Sequence, residues 1–365
     1  MKKIIVSVTS DLISDQRVHK MCSTLHNAGN DIFLVGRKIN NDVFLKRPYK
    51  VKRFKMLFNK GFLFYAFFNI RLFLFLVFKK CDVYLSNDLD TLLANFLASK
   101  IKKKPLVYDS HELFTEVPEL INKNFVKAVW LLIERKIFPQ LKNIITVSDG
   151  IASFYNNKYK TDCIVIKNVP LIRDSYDQEK KPSLLHFNNN HKNILYQGSL
   201  NKDRGIFLMI KSMIYINANL FLIGTGDLEN ELKKYVLKNG LSDKVFFIGR
   251  IPFQELRGVT KKFDLGLSFE EDTCLAYRFS LPNKIFDYIQ SEVPVLVSNL
   301  PDMSRFVNNN NIGEVLKSRN PKKVAIQINN MLIKRDFFSK NLKEAKNKFC
   351  WEKQEFKIIN LFNGL

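Results

Sequence analysis

Ser280 to Ser298 reads SLPNKIFDYIQSEVPVLVS, and two of its residues, Lys284 and Asp287, are of types and spacing that could do chemistry. They stand at i and i+3, on one face of the helix that the run predicts after Pro282. A helix N-terminus offers unpaired N–H groups and a positive partial charge. Leu281, Pro282, Asn283 and Lys284 therefore suit an anion such as a diphosphate. A carboxylate at Asp287 suits the two hydroxyls of a ribose. Anion-binding and diol-binding groups one turn apart point to a nucleotide diphosphate. The plain alternative is a surface helix with an i,i+3 ion pair. The run closes on Val293 to Val297, apolar and β-branched, predicted as a buried strand.

Three other constellations stand on predicted loops. Gly198-Ser199-Leu200-Asn201-Lys202-Asp203-Arg204-Gly205 follows a predicted strand, where glycines let backbone approach a ligand and Lys202 and Arg204 can meet phosphate oxygens. An ordinary strand-to-helix loop is the alternative. Gly224-Thr225-Gly226-Asp227 lacks the third glycine of a dinucleotide fingerprint and sits on a later strand than that fingerprint needs, which excludes an NAD reading. Tyr108-Asp109-Ser110-His111-Glu112 places a histidine after a strand of the first half. Asp88-Leu89-Asp90 has the look of a metal-binding acidic pair, but no acidic cluster supports it. It reads as a helix N-cap with an acidic first turn before Thr91.

These loops require a scaffold of strands and helices in alternation, and the chain supplies one twice. Strands are predicted at Ile4–Val8, Asp31–Val35, Val83–Ser86, Leu106–Tyr108 and Ile144–Val147, with helices between them, including Asp15–Ala28 and Thr91–Lys100. The polar stretch Leu171–Lys192 reads as a linker. The alternation restarts with strands at Asn193–Tyr196, Leu220–Ile223, Val245–Ile248, Leu265–Ser268 and Val293–Val297. Near-continuous apolar strands alternating with helices predict parallel, doubly wound sheets, here as two Rossmann-like halves of an α/β protein. A length of 365 residues fits two domains. Their expected bounds are 1–171 and 172–345, with a final helical segment at 346–365.

Net charge is +23, and the excess is uneven. Between Arg37 and Lys80 stand twelve Lys/Arg and one acid, Asp42. The same segment holds the apolar run Gly61–Phe78, GFLFYAFFNIRLFLFLVF. Asn69 and Arg71 at its middle argue against a bilayer span. The segment reads as part core helix and part interfacial surface, able to meet an anionic membrane. No nucleic-acid motif accompanies the basic charge, so no nucleic-acid partner is expected. Five scattered cysteines without a CxxC pair predict a reducing compartment and no zinc site. The apolar run after Met1-Lys2-Lys3 is too short for a signal peptide and reads as a first buried strand.

Taken in order, the pieces resemble glycosyltransferase family 4, the retaining enzymes of GT-B fold. They are the D-x-H-E segment Asp109–Glu112, Val147-Ser148, Asn168–Pro170, and the G-x-L-x-x-x-R-G loop at Gly198. The G-x-G at Gly224, Phe247–Gly249, the L-P-N-K-x-x-D-Y run and Trp351-Glu352 complete the set. The resemblance implies two Rossmann-like domains across a cleft, the first for the acceptor and the second for a nucleotide sugar, with the C-terminal helix crossing back to the first domain. It implies that Arg204 and Lys284 meet the donor diphosphate and that Asp287 holds the ribose. It also implies that backbone at Arg250 and Ile251 holds the base, that Gly198, Ser199 and Gly226 line the donor, and that His111 lies near the transferred sugar.

The activity implied is transfer from a UDP- or GDP-sugar to a cell-surface glycan or lipid-linked precursor. No metal and no cofactor beyond the donor are implied, and the enzyme would sit in the cytoplasm, peripheral at the inner face of the membrane. A nucleotide-sugar epimerase of the same fold and a non-catalytic binding subunit are the alternatives. The sequence departs from the family pattern at Ser199, where a second arginine is common, and at Phe279, where the first of two acids would stand. Asp287 replaces a glutamate, and Glu292 stands where glycine is common. Val6–Asp11 lacks a glycine-rich turn. Glu270 and Glu271 are candidate substitutes for the absent acid.

Overall fold

The computed structural model describes residues 1–13, 15–39, 45–172 and 191–365. They form two compact units, Met1–Asn168 with Cys274–Ala276 and Gln354–Leu365, and Val169–Thr273 with Tyr277–Lys353. Most of the expected linker, residues 173–190, lies outside the described residues.

The first unit runs β1 (Lys3–Asp11), α1 (Gln16–Asn27), β2 (Asp31–Lys38), β3 (Lys50–Lys55), α2 (Gly61–Phe78), β4 (Val83–Asn87), α3 (Leu89–Lys102), β5 (Leu106–Ser110), α4 (Asn124–Ile137), β6 (Asn143–Thr146), α5 (Asp149–Tyr159) and β7 (Cys163–Val165). Its strands pair in parallel in the order β3-β2-β1-β4-β5-β6-β7. Every residue of β4 and β5 is buried, as a parallel sheet covered on both faces requires. Chain order runs outward in opposite directions from β1 and β4, so a crevice opens at their carboxyl ends, the usual place for a ligand in such sheets. The C-terminal helix Glu355–Asn363 packs on α1, where the Thr24 hydroxyl donates to Glu355 Oε1 at 2.8 Å.

Strand β3 lies inside the segment read from sequence only as basic and aromatic. Its sequence KVKRFK forms an edge strand with Lys50, Lys52 and Lys55 exposed and Phe54 buried, and exposed lysines deter edge-to-edge association. Several of the segment's cations are tied into the fold. Arg53 pairs with Asp11 at 3.0 Å, Lys50 with Asp31 at 3.1 Å, and Arg71 donates to Lys55 O at 2.6 Å. Helix α2 is long and apolar enough to cross a bilayer by length and composition. One stripe, Phe64, Phe68, Leu72 and Leu76, is buried in the first unit, and Asn69 donates to Asp90 O at 2.7 Å. The opposite stripe, Leu63, Phe67, Ile70, Leu74 and Phe78, is exposed.

The second unit runs β8 (Lys192–Gln197), α6 (Ile206–Ser212), β9 (Ala218–Ile223), α7 (Glu229–Lys238), β10 (Val245–Gly249), α8 (Phe253–Thr260), β11 (Leu265–Ser268), the second half of α9 (Leu275–Arg278), α10 (Asn283–Gln290), β12 (Val295–Val297) and β13 (Gly313–Val315). Its strands are parallel in the order β10-β9-β8-β11-β12-β13, which puts the corresponding crevice between β8 and β11. Strand β12 starts two residues later than its apolar run. Val293 N–H bonds Tyr288 O at 2.9 Å, closing the turn after α10 before the strand begins.

Candidate functional site

In the second unit, tight backbone packing shapes the loops around the β8/β11 crevice. Gly205 has φ +68°, and a Cβ there would lie 2.1 Å from Phe269 O, so only glycine lets α6 start against the end of β11. Gly224, at φ +140°, would place a Cβ 1.9 Å from Gly198 O. The loop at Gly198 and the loop at Gly224 are stitched together by Leu200 N–H to Thr225 O at 3.1 Å and Leu228 N–H to Leu200 O at 2.9 Å. Gly226 lies in this seam, where a Cβ would collide with Leu200 and Asn201. This close stitching holds the expected loop residues Gly198, Ser199, Arg204 and Gly226 in one place.

Helix α10 is fixed by Tyr288. Its buried hydroxyl takes the Gln197 N–H at 3.2 Å and lies 3.2 Å from Leu267 O, so it bridges β8 and β11. One turn earlier, Lys284 Nζ reaches Glu270 Oε1 at 2.7 Å and sits 4.3 Å from the centre of the Tyr196 ring. Arg204 Nη1 approaches the same Glu270 oxygen at 3.6 Å, and its guanidinium stacks 4.7 Å from the Tyr277 ring centre. Glu270 also accepts from Ser268 Oγ at 2.7 Å. Burial alone would raise the Glu270 pKa, but Lys284 and Arg204 more than offset it and hold it below the ordinary glutamate value.

Lys284 therefore pairs with Glu270, and not with Asp287 as the plain surface-helix alternative would have it. Asp287 is held by Gln197 Nε2 at 2.9 Å. Of the two acids considered as substitutes, Glu270 belongs to this cluster. Glu271 faces Arg319 at 3.3 Å instead. Pro282 and Asn283 open α10, and Leu281 before them is buried. Arg250 Nε donates to Thr225 Oγ1 at 2.8 Å, which ties the segment of Arg250 and Ile251 to the Gly224 loop. A cavity of about 440 Å³, lined in part by Glu271, Asp272, Asn299, Lys317 and Arg319, lies at the ends of β11, β12 and β13.

His111 belongs to the first unit. Its Nδ1 lies 3.1 Å from Asp88 Oδ2 and its Nε2 lies 3.4 Å from Asp109 Oδ2. Burial disfavours its charge, but the two carboxylates outweigh burial and hold its pKa well above the ordinary histidine range. His111 is thus a cation at neutral pH. Asp109, fully buried, is gripped by Arg17 through Nη2 at 2.7 Å and Nε at 3.0 Å. Burial would raise the Asp109 pKa, yet Arg17 and His111 drive it well below the carboxylate range.

Asp88 occupies the N-cap position of α3, as expected, but its side chain makes no cap bond. It takes the His111 N–H at 2.9 Å, with its own backbone at φ +56°. Asp90 accepts from Thr9 Oγ1 across the β1/β4 crevice. Its pKa is pushed up to about 7, by burial first and then by Asp88, against Thr9, His111 and Arg37. Sequence reasoning missed Arg17 altogether. The only signal was a charged residue beside the apolar stripe of α1, since a fully buried arginine needs a partner.

Residues 177–349 match the family described as glycosyl transferases group 1, and residues 15–169 match glycosyltransferase family 4. An uncharacterised glycosyltransferase of Methanocaldococcus jannaschii is 25% identical over 250 residues, 67% of this chain. The match spans 66% of that relative's own length, just under two thirds. A solved sucrose-phosphate synthase of Thermosynechococcus elongatus superposes with a TM-score of 0.81 at 15% identity, over 100% of this chain and 99% of that one. The Anabaena protein HepE, solved in complex with UDP-glucose, superposes at 0.73 with 14% identity, over 100% of both chains.

Proposed function

The chain belongs to glycosyltransferase family 4 and has the GT-B fold, and from that premise we propose that it moves a hexosyl unit from a UDP- or GDP-sugar to a hydroxyl of a glycan or lipid-linked acceptor, with retention at the anomeric carbon. The observation that carries this reading is the convergence of Arg204 and Lys284 on one buried carboxylate at the β8/β11 crevice. The two cations stand where a departing diphosphate would develop negative charge. The positive end of the α10 dipole adds to theirs. Asp287, held by Gln197, is the candidate for the ribose hydroxyls, and the Arg250–Ile251 segment is the candidate contact for the base. His111, held as a cation, serves to stabilise negative charge rather than to take a proton.

With Arg204, Lys284 and the start of α10 carrying the leaving-group charge, the reaction needs no divalent metal, and a chelator should leave its rate unchanged. A phosphate oxygen of the leaving group can take the proton of the attacking hydroxyl. UDP-glucose is the first donor to test, because HepE was solved with it. The exposed stripe of α2, flanked by exposed Lys60, Lys79 and Lys80, favours docking on an anionic membrane surface where lipid-linked acceptors reside.

A thermal-shift panel of UDP, GDP and their sugars tests the donor class, since a ligand of the native state raises the melting temperature. The reading expects one nucleotide diphosphate to raise it, and the matching sugar to be consumed with an axial or equatorial configuration retained by NMR. A panel with no shift and no consumption would sink it.

A further inference from the structure

Arg319 follows β13 and belongs to none of the sequence motifs, yet its guanidinium bonds the ends of two neighbouring strands. Nη2 donates to Phe269 O at 3.1 Å and to Glu271 Oε1 at 3.3 Å. Nη1 donates to Ser298 Oγ at 3.2 Å and to Glu270 O at 3.4 Å. Residues 269–271 directly follow β11, and Ser298, which is buried, directly follows β12. The planar fork therefore clamps the exit of β11 to the exit of β12, a geometry that a lysine ammonium does not reproduce.

The clamped segment is also the one that holds the loop before Arg204. Glu271 N–H donates to Asp203 O at 2.9 Å, and Thr273 Oγ1 donates to Asp203 Oδ2 at 3.2 Å. Asp203 has a left-handed φ of +64°, a conformation that costs energy outside glycine and persists where its surroundings impose it. Phe269 O is fixed from two sides, by Arg319 and by the close approach of Gly205. From the same segment the Glu270 carboxylate faces Arg204 at 3.6 Å. Arg319 thus stands behind every contact that sets where Arg204 leaves its loop.

We infer that Arg319 is a positioning residue for Arg204: by clamping the β11 exit to β12 it sets the loop from which Arg204 meets the donor diphosphate. This rests on the glycosyl-transfer reading above, in which Arg204 contacts that diphosphate. Arg319 contributes to binding without touching the ligand, because a loop already held in place need not be ordered when the ligand arrives.

The test is calorimetric titration of UDP, GDP, uridine and guanosine into the full chain as wild type, Arg319→Ala, Arg204→Ala and the double variant. Arg319→Ala should weaken the nucleotide diphosphate that the wild type binds by about fivefold to thirtyfold, and leave the matching nucleoside unchanged. In the Arg204→Ala background the same substitution should cost less than about twofold, because the group it positions is gone. Diphosphate binding by Arg319→Ala within about twofold of wild type overturns the assignment. So does an equal loss for the nucleoside, which marks a general loosening of the fold. Full additivity with Arg204→Ala also overturns it, since that marks Arg319 as a direct phosphate contact. If Arg319→Ala fails to fold, Arg319→Lys replaces it, keeping the charge and losing the fork. The same selective loss is expected of Arg319→Lys, and wild-type affinity overturns the assignment. A wild type that binds neither UDP nor GDP refutes the diphosphate reading itself, and the positioning role falls with it.

Discussion

The β8/β11 and β1/β4 crevices occupy the same position in two parallel sheets, yet they gather different charge. The first sets Arg204 and Lys284 against one acid, Glu270. The second gathers three carboxyl groups, Asp88, Asp90 and Asp109, around His111, with Arg17 closing the back of the cluster. The difference is also one of burial. Arg17 is 3% exposed and donates to Ile166 O as well as to Asp109, so it is sealed into the fold. The Arg204 side chain is 27% exposed, open to solvent on one side. One scaffold thus builds a cluster with one part-exposed cation, Arg204, and a carboxyl cluster whose arginine is sealed.

The largest effect should come from breaking the sealed pair. Arg17→Met leaves Asp109 charged and buried, and should cost about 3–5 kcal/mol by denaturant unfolding. A loss below 1 kcal/mol would show that the two clusters are equally open to solvent. Next is the pH response of Asp90. Its folded pKa of about 7 lies above the unfolded value, so the native state holds a proton that the unfolded chain releases, and stability falls as pH rises from about 4 to 7. Asp90→Asn removes that dependence. Between pH 4 and 8 its stability should gain on the wild type by on the order of 3 kcal/mol. Parallel stability curves would contradict the buried carboxyl.

Glu270→Gln tests the open cluster. It leaves Lys284 and Arg204 without their acid, and should cost about 1–3 kcal/mol, a loss that added nucleotide diphosphate reverses. If nucleotide gives no extra stabilisation over wild type, the cations are structural. The smallest effect concerns Glu292, which holds φ +57° in the position where family members commonly carry glycine. Glu292→Gly relieves the left-handed backbone but loses the Lys346 partner at 2.6 Å and adds chain entropy, so the net change should stay within about 1 kcal/mol.

How far each crevice could be read from sequence follows the same division. The sheet strands were legible because buried parallel strands are continuous apolar runs, and their helices follow from 3.6-residue spacing. Strand β3 was not, since edge lysines conceal the alternation that Phe54 anchors. Strands β7 and β13 are three residues each, too short to leave a pattern. Lys284, Asp287 and Arg204 could be singled out because the loop pattern that holds them is local. Glu270 could be named only as a candidate acid; its pairing with Lys284 and Arg204 was not legible, because the sheet brings residues 14 apart or more together. The Arg17–Asp109 pair spans 92 residues and exists only through the strand order β1-β4-β5, which spacing along the chain does not encode. Asp88 was placed correctly at the start of α3 but given the wrong task. Its positive φ turns the carboxylate from the helix amides to His111.

The most direct test of the diphosphate site is calorimetric titration of UDP and GDP, alongside uridine and guanosine, into the wild type and into Lys284→Ala/Arg204→Ala. The account predicts that one nucleotide diphosphate binds the wild type, that the double variant weakens it by about a hundredfold or more, and that the matching nucleoside binds both alike. Equal binding of the nucleotide diphosphate by both proteins would contradict it.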